Sequence, residues 1–237
     1  MLPLSSITYK LWWLLALGPL VFLMCIVAAS AFWSVRGAAP ADIAPQVVAL
    51  MPHILLVVLG SMALGLTGFS AQVASAWTMP QAGQAIADIA LGVVVGGALA
   101  WAYFVWLAPA LAMLQRSLGD YVPPDSILPA LSGSAVVFFI ANVLLAPWVE
   151  ETLYRGVALP MLSPELGHWG AVLVGCVCFG LLHWPGGIWY VVLTGVVGGG
   201  VFTGLYYTRG GILAPYAAHV VLNGIEFWVA WRLARSV

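Results

Sequence analysis

Charged residues are scarce in this sequence. Only 6% of its 237 residues are charged, with seven lysines and arginines against eight aspartates and glutamates. So few ions cannot build a basic or acidic face, which argues against nucleic acid or any other strongly charged partner. Hydrophobic side chains make up 63% of the chain, too many for a polar shell around an ordinary core. The composition therefore predicts an integral membrane protein.

Cysteines are also few, and none of them forms a recognisable motif. The chain has three, Cys25, Cys176 and Cys178, without a Cys-x-x-Cys pair. Cys176 and Cys178 would point to different sides of a helix, so they do not form a thiol site together. We interpret the cysteines as small apolar residues that fill space in the core.

Long apolar runs take the place of the missing charge. A helix needs about 20 residues to cross ~30 Å of hydrocarbon. Seven runs are candidates for such helices, at about Leu11–Trp33, Val47–Phe69, Ile86–Met113, Pro129–Met161, Trp169–His183, Ile188–Tyr207 and Ile212–Trp231. The sequence thus predicts an all-α fold, a polytopic transmembrane helix bundle of about seven spans.

Two of these runs and one connection leave alternatives open. The first run ends in Ala29-Ser30-Ala31, which resembles a signal-peptidase site. It is longer than the ~7 to 15 residues of a cleavable segment, so we expect a retained helix. Pro147 interrupts the fourth run. The uncharged connection 70–84, rich in small residues, is an interfacial or a re-entrant segment.

The clearest break in the chain is the stretch RSLGDYVPPD at 116–125, with its charges and paired prolines. It divides the sequence into an N-terminal part, 1–125, with about three spans, and a C-terminal part, 126–237, with about four. In the sixth run, glycines recur at a spacing of four, as Gly195 with Gly199 and Gly200 with Gly204. This spacing lets helix backbones approach closely in lipid, so it predicts packing rather than chemistry.

Ionisable residues inside apolar runs are the candidates for function. A buried acid costs about 2.5 to 3.5 kcal/mol on insertion scales, yet Glu150 and Glu151 follow a long apolar stretch. The alternative is that they mark an interfacial helix end. His183 closes the fifth run, and His219 with Asn223 shares one face of the seventh run. Polar groups from three separate runs favour one shared site over three unrelated packing residues.

Three short motifs carry these residues and resemble those of the CAAX protease and bacteriocin-processing family of intramembrane endopeptidases, CPBP or Abi. Each motif is unspecific alone, whereas the ordered set on separate apolar runs is specific. They are Glu150-Glu151-x-x-x-Arg155, Phe179-x-x-x-His183 and His219-x-x-x-Asn223. The resemblance covers about residues 130–237, and nothing in the first three spans matches the family.

The spacing of these residues suggests how they would work. Glu151 and Arg155 are four apart on a helix, with the acid on the N-terminal side, which favours an ion pair. We infer that Arg155 holds Glu151 ionised, while Glu150 faces elsewhere, near His183, and acts as general base on a water. His219 and Asn223 would supply hydrogen-bond donors to the oxyanion that develops during attack on a peptide bond.

A zinc site is the alternative to this mechanism. Two histidines and a glutamate are the ligands of many hydrolytic zinc sites. The sequence has no HExxH motif, Asn223 is a poor zinc ligand, and no serine or cysteine stands in a motif with a base. The resemblance implies a glutamate-type, metal-independent protease. We therefore expect no cofactor, with Zn²⁺ as the alternative.

The resemblance implies an endopeptidase similar to the type II CAAX prenyl proteases, which cuts a membrane-associated peptide or protein. The substrate would be a prenylated C-terminal tail, a bacteriocin or signalling-peptide precursor, or a C-terminal sorting anchor, and the sequence does not select among them. The expected partners are this substrate and the lipid bilayer, with no nucleic acid. A catalytically silent relative that scaffolds other membrane proteins is one alternative.

A transporter coupled to protons or other ions is the other alternative, because buried Glu and His also mark ion pathways. Glu226 lies seven residues after His219 on the same helical face. It would extend a proton relay, act as a second acid for His219, or anchor the helix near Trp228. No inverted repeat is visible between the two halves, which disfavours transport.

The basic residues predict the orientation of the chain in the cell membrane. Seven spans place the two ends on opposite sides. Four basic residues then share the side of the C-terminus, whereas Lys10 and Arg209 share the other. The four are Arg36, Arg116, Arg232 and Arg235. The positive-inside rule therefore places the C-terminus in the cytoplasm.

Overall fold

Helices make up all the regular structure that is described. The computed structural model describes residues 6–122 and 134–235, and within these ranges it contains no strand. The eleven α-helices of these ranges are α1 (Ser6–Val35), α2 (Pro40–Leu66), α3 (Ser70–Ala76), α4 (Ala82–Ala102), α5 (Ala108–Leu118), α6 (Ala135–Phe138), α7 (Ala146–Glu151), α8 (Leu159–Leu182), α9 (Ile188–Leu193), α10 (Gly200–Arg209) and α11 (Leu213–Ala234). The predicted all-α class is confirmed.

Wider π-helical turns join several of these helices without a break. They lie at Tyr103–Leu107, Phe139–Leu145, Thr152–Ala158 and Thr194–Gly199. Pro147 sits in the first turn of α7, directly after one of them. Proline has no N–H to donate, and the wider turn before it lets the chain continue as a helix. The interruption predicted at Pro147 is therefore a local change of helix type rather than a helix end.

Five helical segments in the described ranges are long and apolar enough to cross a membrane. They are Thr8–Val35, Pro40–Ala76, Ala82–Leu118, Ala135–Leu182 and Ile188–Arg209. A polytopic membrane protein is thus what the structure supports, whereas the count of about seven and the cytoplasmic C-terminus stay predictions. The predicted start of the fourth run at Pro129 and the division at 125/126 lie outside the described residues.

The fourth of these segments folds back on itself at Gly167. A straight helix would separate residues 154 and 178 by about 36 Å, yet the Tyr154 hydroxyl donates a hydrogen bond to the Cys178 carbonyl oxygen at 3.3 Å. Gly167 has a φ of 70°, which breaks the helical path. The residues after Gly167 therefore run back along the Glu150-Glu151 motif and bring His183 towards it.

The second and third spans are longer than predicted, and the connection between them is mostly helical. α2 begins at Pro40, because proline is well suited to the first turn of a helix. After α2, the short helix α3 ends at Ala76. Trp77 then donates from Nε1 to the Thr152 hydroxyl at 2.9 Å. Segment 70–77 thus packs against the π-helical turn that follows Glu151.

Helix α4 lies against α11, so the N-terminal part of the chain supports the helix that carries His219. Gly92 and Gly96 make this approach possible. A Cβ on Gly92 would lie 2.5 Å from the Ala214 carbonyl oxygen, and one on Gly96 would collide with the backbone of Ala218. Small residues at four-residue spacing thus bring two helix backbones into contact.

Of the two glycine pairs predicted to pack in the sixth run, only the pair Gly195 and Gly199 lies at a close contact between helices. A Cβ on Gly195 would lie 2.9 Å from the Cys176 carbonyl oxygen, and one on Gly199 would lie 3.2 Å from the Cys176 Cα. Outside their own helical turn, no atom of the described residues lies within 4 Å of the Cβ position of Gly200 or Gly204. The close helix contact therefore depends on the first pair.

Replacing Gly96 with alanine tests the contact between α4 and α11. The added methyl group would overlap the Ala218 backbone, so we expect the free energy of unfolding to fall by about 1 to 3 kcal/mol, as for other overpacked sites. This fall should appear as a lower midpoint temperature of thermal unfolding in detergent. Gly97→Ala is the matched control, because no described residue outside its own helical turn lies within 4 Å of that Cβ position. Equal stability of both variants would show that the two helices are not in close contact.

Candidate active site

Three helical segments bring all the candidate residues into one region. Glu150 and Glu151 end α7, and Arg155 lies in the π-helical turn that follows. His183 comes directly after α8, and α11 carries both His219 and Asn223. The exposed fractions of Glu150, Glu151 and Arg155 are 3%, 0% and 1%. These values show that all three side chains are buried inside the protein, and the helical path continues past Glu151.

Glu151 is the residue that joins these segments. Its Oε1 accepts a hydrogen bond from Arg155 Nη1 at 3.1 Å and another from His219 Nδ1 at 2.8 Å. The ion pair with Arg155 has the i, i+4 spacing and the orientation expected from the sequence. One carboxylate oxygen therefore connects the end of α7 to α11.

The Arg155 guanidinium has two further partners besides Glu151. Its Nη2 donates to the Gly199 carbonyl oxygen at 3.1 Å, at the glycine that approaches Cys176. The guanidinium carbon lies 4.6 Å from the ring centroid of Phe179. A buried guanidinium needs such partners, because its desolvation is not offset by one carboxylate alone. Arg155 thus ties the Glu150-Glu151 motif to the sixth run as well.

His219 lies between the two glutamates. Because Glu151 accepts at Nδ1, the proton of the neutral imidazole is on that nitrogen, and Nε2 points towards Glu150. The distance from Nε2 to Glu150 Oε2 is 4.0 Å, too long for a direct hydrogen bond. The ring stacks on Phe202 with 4.7 Å between centroids. Both carboxylates therefore approach the same imidazole, Glu151 at Nδ1 and Glu150 at Nε2.

Glu150 and Glu151 each keep one carboxylate oxygen without a partner. Both Oε2 atoms are buried and make no hydrogen bond with the described residues. Buried polar atoms are normally paired, and unpaired ones are concentrated where a protein binds water or a ligand. In Glu151 the other oxygen is already shared by two donors. Glu150 is therefore the carboxylate that is available to a bound molecule.

His183 is oriented by its own helix. Its Nδ1 lies 2.8 Å from the Phe179 carbonyl oxygen, and a carbonyl only accepts, so Nδ1 carries the proton. In the neutral ring Nε2 is then an acceptor. The Phe179-x-x-x-His183 motif thus fixes the tautomer through a backbone contact of four-residue spacing, while the Phe179 ring packs on Arg155. No hydrogen bond or ion pair joins His183 to Glu150 among the described residues.

Asn223 reaches across to the segment that precedes α7. Its Nδ2 donates to the Asn142 carbonyl oxygen at 2.7 Å, inside a π-helical turn where backbone carbonyls lack their usual partners. The side-chain amide has a second N–H. Asn223 therefore holds α11 in register with the α7 segment and retains a donor for another group.

A cavity of about 70 Å³ lies beside these residues. It is large enough for a few water molecules, since a site for one water needs roughly 10 to 15 Å³ by this measure. His183, His219 and Asn223 line it, together with Glu226, Tyr103 and Tyr190. Aromatic and aliphatic side chains form the rest of its wall. The cavity thus combines an apolar surface with a few convergent polar groups, which is typical of a ligand site.

Metal independence stays a prediction. Among the described residues, no group of three His, Cys, Asp or Glu side chains lies close enough to hold a metal ion. His219 Nδ1 donates to Glu151, and its Nε2 lies 4.0 Å from Glu150 Oε2.

One part of the site was not predicted from the sequence, because it lies in the loop after α5. Asp120 accepts hydrogen bonds from the backbone N–H groups of Ile188 at 3.0 Å and Trp189 at 3.4 Å, at the start of α9. The Tyr121 hydroxyl donates to the Trp184 carbonyl oxygen. These contacts hold both ends of the turn that follows His183. Asp120 was visible only as a charge in a break of the chain, which gave no sign of its distant partners.

The same contacts change the ionisation of Asp120. Its partial burial would raise the pKa of the carboxyl group. The backbone N–H groups of Ile188, Tyr121 and Trp189 and the Gln115 amide favour the charged form, and together they lower the pKa. Because its pKa is lowered, Asp120 stays ionised to a lower pH than carboxyl groups usually do. The contacts are lost only as the pH falls through the pKa of Asp120 in the folded state.

The family resemblance is confirmed over the C-terminal part of the chain. Residues 132–225 match the family model described as Type II CAAX prenyl endopeptidase Rce1-like. The match covers less than half of the sequence but includes all six candidate residues. Comparison with curated proteins and with solved structures finds no match. The family match indicates CAAX endopeptidase activity and therefore a protease.

Removing the Asp120 carboxylate should loosen the turn after His183. We expect Asp120→Ala to lower the free energy of unfolding by about 0.5 to 2 kcal/mol, the usual cost of losing a helix cap, and to lower the turnover rate. Thermal unfolding and cleavage assays from roughly pH 5 to 8 should show a constant difference from the wild type, because Asp120 stays ionised there. Asp42→Ala, at the start of α2, is the control. A difference that disappears near neutral pH would contradict this account.

Proposed function

We propose that this protein is an intramembrane endopeptidase that hydrolyses a peptide bond of a membrane-associated peptide or protein, with a water activated by Glu150. The proposal includes a cytoplasmic C-terminus. The peptidase mechanism rests on one observation, the different environments of two adjacent carboxylates. Glu151 is bound by Arg155 and His219, whereas Glu150 has an unpaired oxygen that faces His219 Nε2.

The gap between Glu150 and His219 suits a water molecule. A separation of 4.0 Å is too long for a direct hydrogen bond but allows a water beside both groups to contact each of them. Glu150 would accept a proton from this water as the oxygen attacks the carbonyl carbon of the substrate. The protonated Glu150 would then donate to the nitrogen of the leaving peptide, which completes the hydrolysis.

The developing oxyanion needs hydrogen-bond donors on the cavity side. Asn223 has one N–H beyond the one bound to Asn142, and it lines the cavity. His219 offers Nε2 as a second donor when the ring is protonated between the two glutamates. His183 lines the same cavity, but its Nε2 is an acceptor in the neutral ring, so it would not donate to the oxyanion. Asn223 and His219 would therefore be the donors beside the scissile carbonyl.

Glu151 and Arg155 act through the positions of other groups. Glu151 fixes the tautomer and ring orientation of His219, and Arg155 holds Glu151 in place. We propose that this pair positions the imidazole rather than touching the substrate. Three substrate classes fit the resemblance: a prenylated C-terminal tail, a bacteriocin or signalling-peptide precursor, and a C-terminal sorting anchor.

Glu150→Gln tests the general base. The substitution keeps the shape of the side chain but removes the proton acceptor, so turnover should fall by at least about a hundredfold. The assay is cleavage of candidate precursors in membranes, with the cut mapped by mass spectrometry. Glu165→Gln is the matched control, because Glu165 is exposed and accepts only from the Thr8 hydroxyl in the described structure.

The control should retain nearly full turnover, and both variants should fold and insert like the wild type. Near-normal cleavage by Glu150→Gln would contradict the assignment of the base. A wild-type protein that cleaves none of the precursors, although it is folded, would instead favour the silent scaffold.

Chelation tests the metal-independent mechanism. If Glu150 alone activates the water, the purified enzyme should keep its turnover after exhaustive treatment with a chelator. It should also contain no stoichiometric zinc by elemental analysis. Loss of turnover that is reversed by zinc, and not by magnesium, would assign His183, His219 and a glutamate as ligands instead.

A further inference from the structure

Glu226 is an acidic residue of the cavity that the proposed mechanism does not use. It lies on the same face of α11 as His219 and Asn223, and Leu222 lies between them. Tyr103 and Tyr190 line the cavity opposite this face. Glu226 also lies just beyond residues 132–225, so the family match does not include it. Its role must therefore be sought in its own surroundings.

No protein cation balances this carboxylate within the described structure. The described residues that line the cavity include no lysine or arginine. His219 already contacts Glu151 and faces Glu150, so it does not need a third acid. Glu226 is half-buried and makes neither a hydrogen bond nor an ion pair with another described residue. Among the described residues of the cavity wall, only the histidines His183 and His219 could supply a counter-charge to it.

An unpaired acid in a membrane protein is costly, so its persistence suggests that a partner arrives from outside the chain. We propose that Glu226 forms a specificity subsite for a cationic side chain of the peptide substrate, with lysine as the best fit. This inference rests on the proposed peptidase activity. Lysine fits because its ammonium group is compact and its apolar stem suits the aromatic and aliphatic wall of the cavity.

The distance along α11 sets where this cation would lie in the substrate. Glu226 is seven residues beyond His219, which corresponds to about 10 Å along the helix axis. An extended peptide advances roughly 3.3 to 3.6 Å per residue. If the scissile carbonyl lies beside His219, the cationic residue is therefore about two to four positions from the bond that is cut.

Two other roles for Glu226 predict different behaviour. A proton relay through Glu226 would affect every substrate to the same degree. A second acid for His219 would act on the chemical step and would likewise be independent of substrate charge. A subsite for a cation instead changes the preference between substrates. The charge of the peptide is thus the variable that separates these three roles.

The test uses one cleaved peptide with lysine, glutamine or glutamate at each of the four positions on either side of the cut. At one of these positions the wild type should prefer lysine over glutamate by at least about tenfold in kcat/KM, as expected for a desolvated charge pair. Glu226→Gln should reduce this ratio to about one and leave the glutamine peptide within about threefold of wild type. Glu226→Lys should reverse the preference.

Matched variants make each outcome decisive. Glu165→Gln, an exposed glutamate at a distance from the cavity, should keep the wild-type preference. If Glu226→Lys does not fold, the comparison of wild type with Glu226→Gln still decides. A wild type without charge preference at any position would overturn the proposal, as would an equal fall in kcat/KM for all peptides in Glu226→Gln.

A binding measurement separates this proposal from the peptidase activity. The lysine and glutamate peptides are titrated against Glu150→Gln and against the double variant Glu150→Gln/Glu226→Gln, both of which lack the proposed base. We expect Glu150→Gln to bind the lysine peptide more tightly than the glutamate peptide, and the double variant to bind the two peptides equally. If each variant binds the two peptides equally, the subsite is refuted even if the wild type cleaves the peptide. A preference for the lysine peptide that is lost with Glu226 would support the subsite even if no peptide is cleaved.

Discussion

The arrangement of the site depends on one buried carboxylate oxygen, Glu151 Oε1. It accepts from Arg155 on the same helical segment and from His219 on α11. Removing one partner of a buried ion pair leaves the other charge unpaired, at a cost of about 3 to 5 kcal/mol. Because Arg155 also binds the Gly199 carbonyl oxygen, the same contacts fix the sixth run. The positions of three helical segments are therefore coupled through a single acid.

The N-terminal helices lie outside the family match, yet they contact the segments that carry the candidate residues. α4 lies close to α11 through Gly92 and Gly96, and so sets the position of the helix that carries His219. The loop after α5 holds the turn that follows His183 through Asp120. Two of the three segments that carry the candidate residues are therefore contacted from outside the matched region. The division into 1–125 and 126–237 stays a prediction.

The sequence was sufficient for the features that depend on local spacing. Apolar runs predicted helices, and the four-residue interval between Glu151 and Arg155 predicted their ion pair. It was not sufficient for contacts between distant segments. Nothing local to Asp120 indicates that Ile188 lies beside it, and nothing local to Glu150 shows that it shares an imidazole with Glu151. These features depend on how the chain reverses at Gly167, which a hydropathy pattern does not encode.

Two adjacent glutamates can do what a single glutamate cannot. In the proposed mechanism, Glu151 orients His219 and its pairing with Arg155 makes it the weaker base. Glu150 has no cationic partner of this kind and would accept the proton from water. Consecutive helical residues point about 100° apart, which lets Glu151 reach Nδ1 while Glu150 faces Nε2. The proposal thus assigns orientation and proton transfer to two neighbouring residues within one turn of helix.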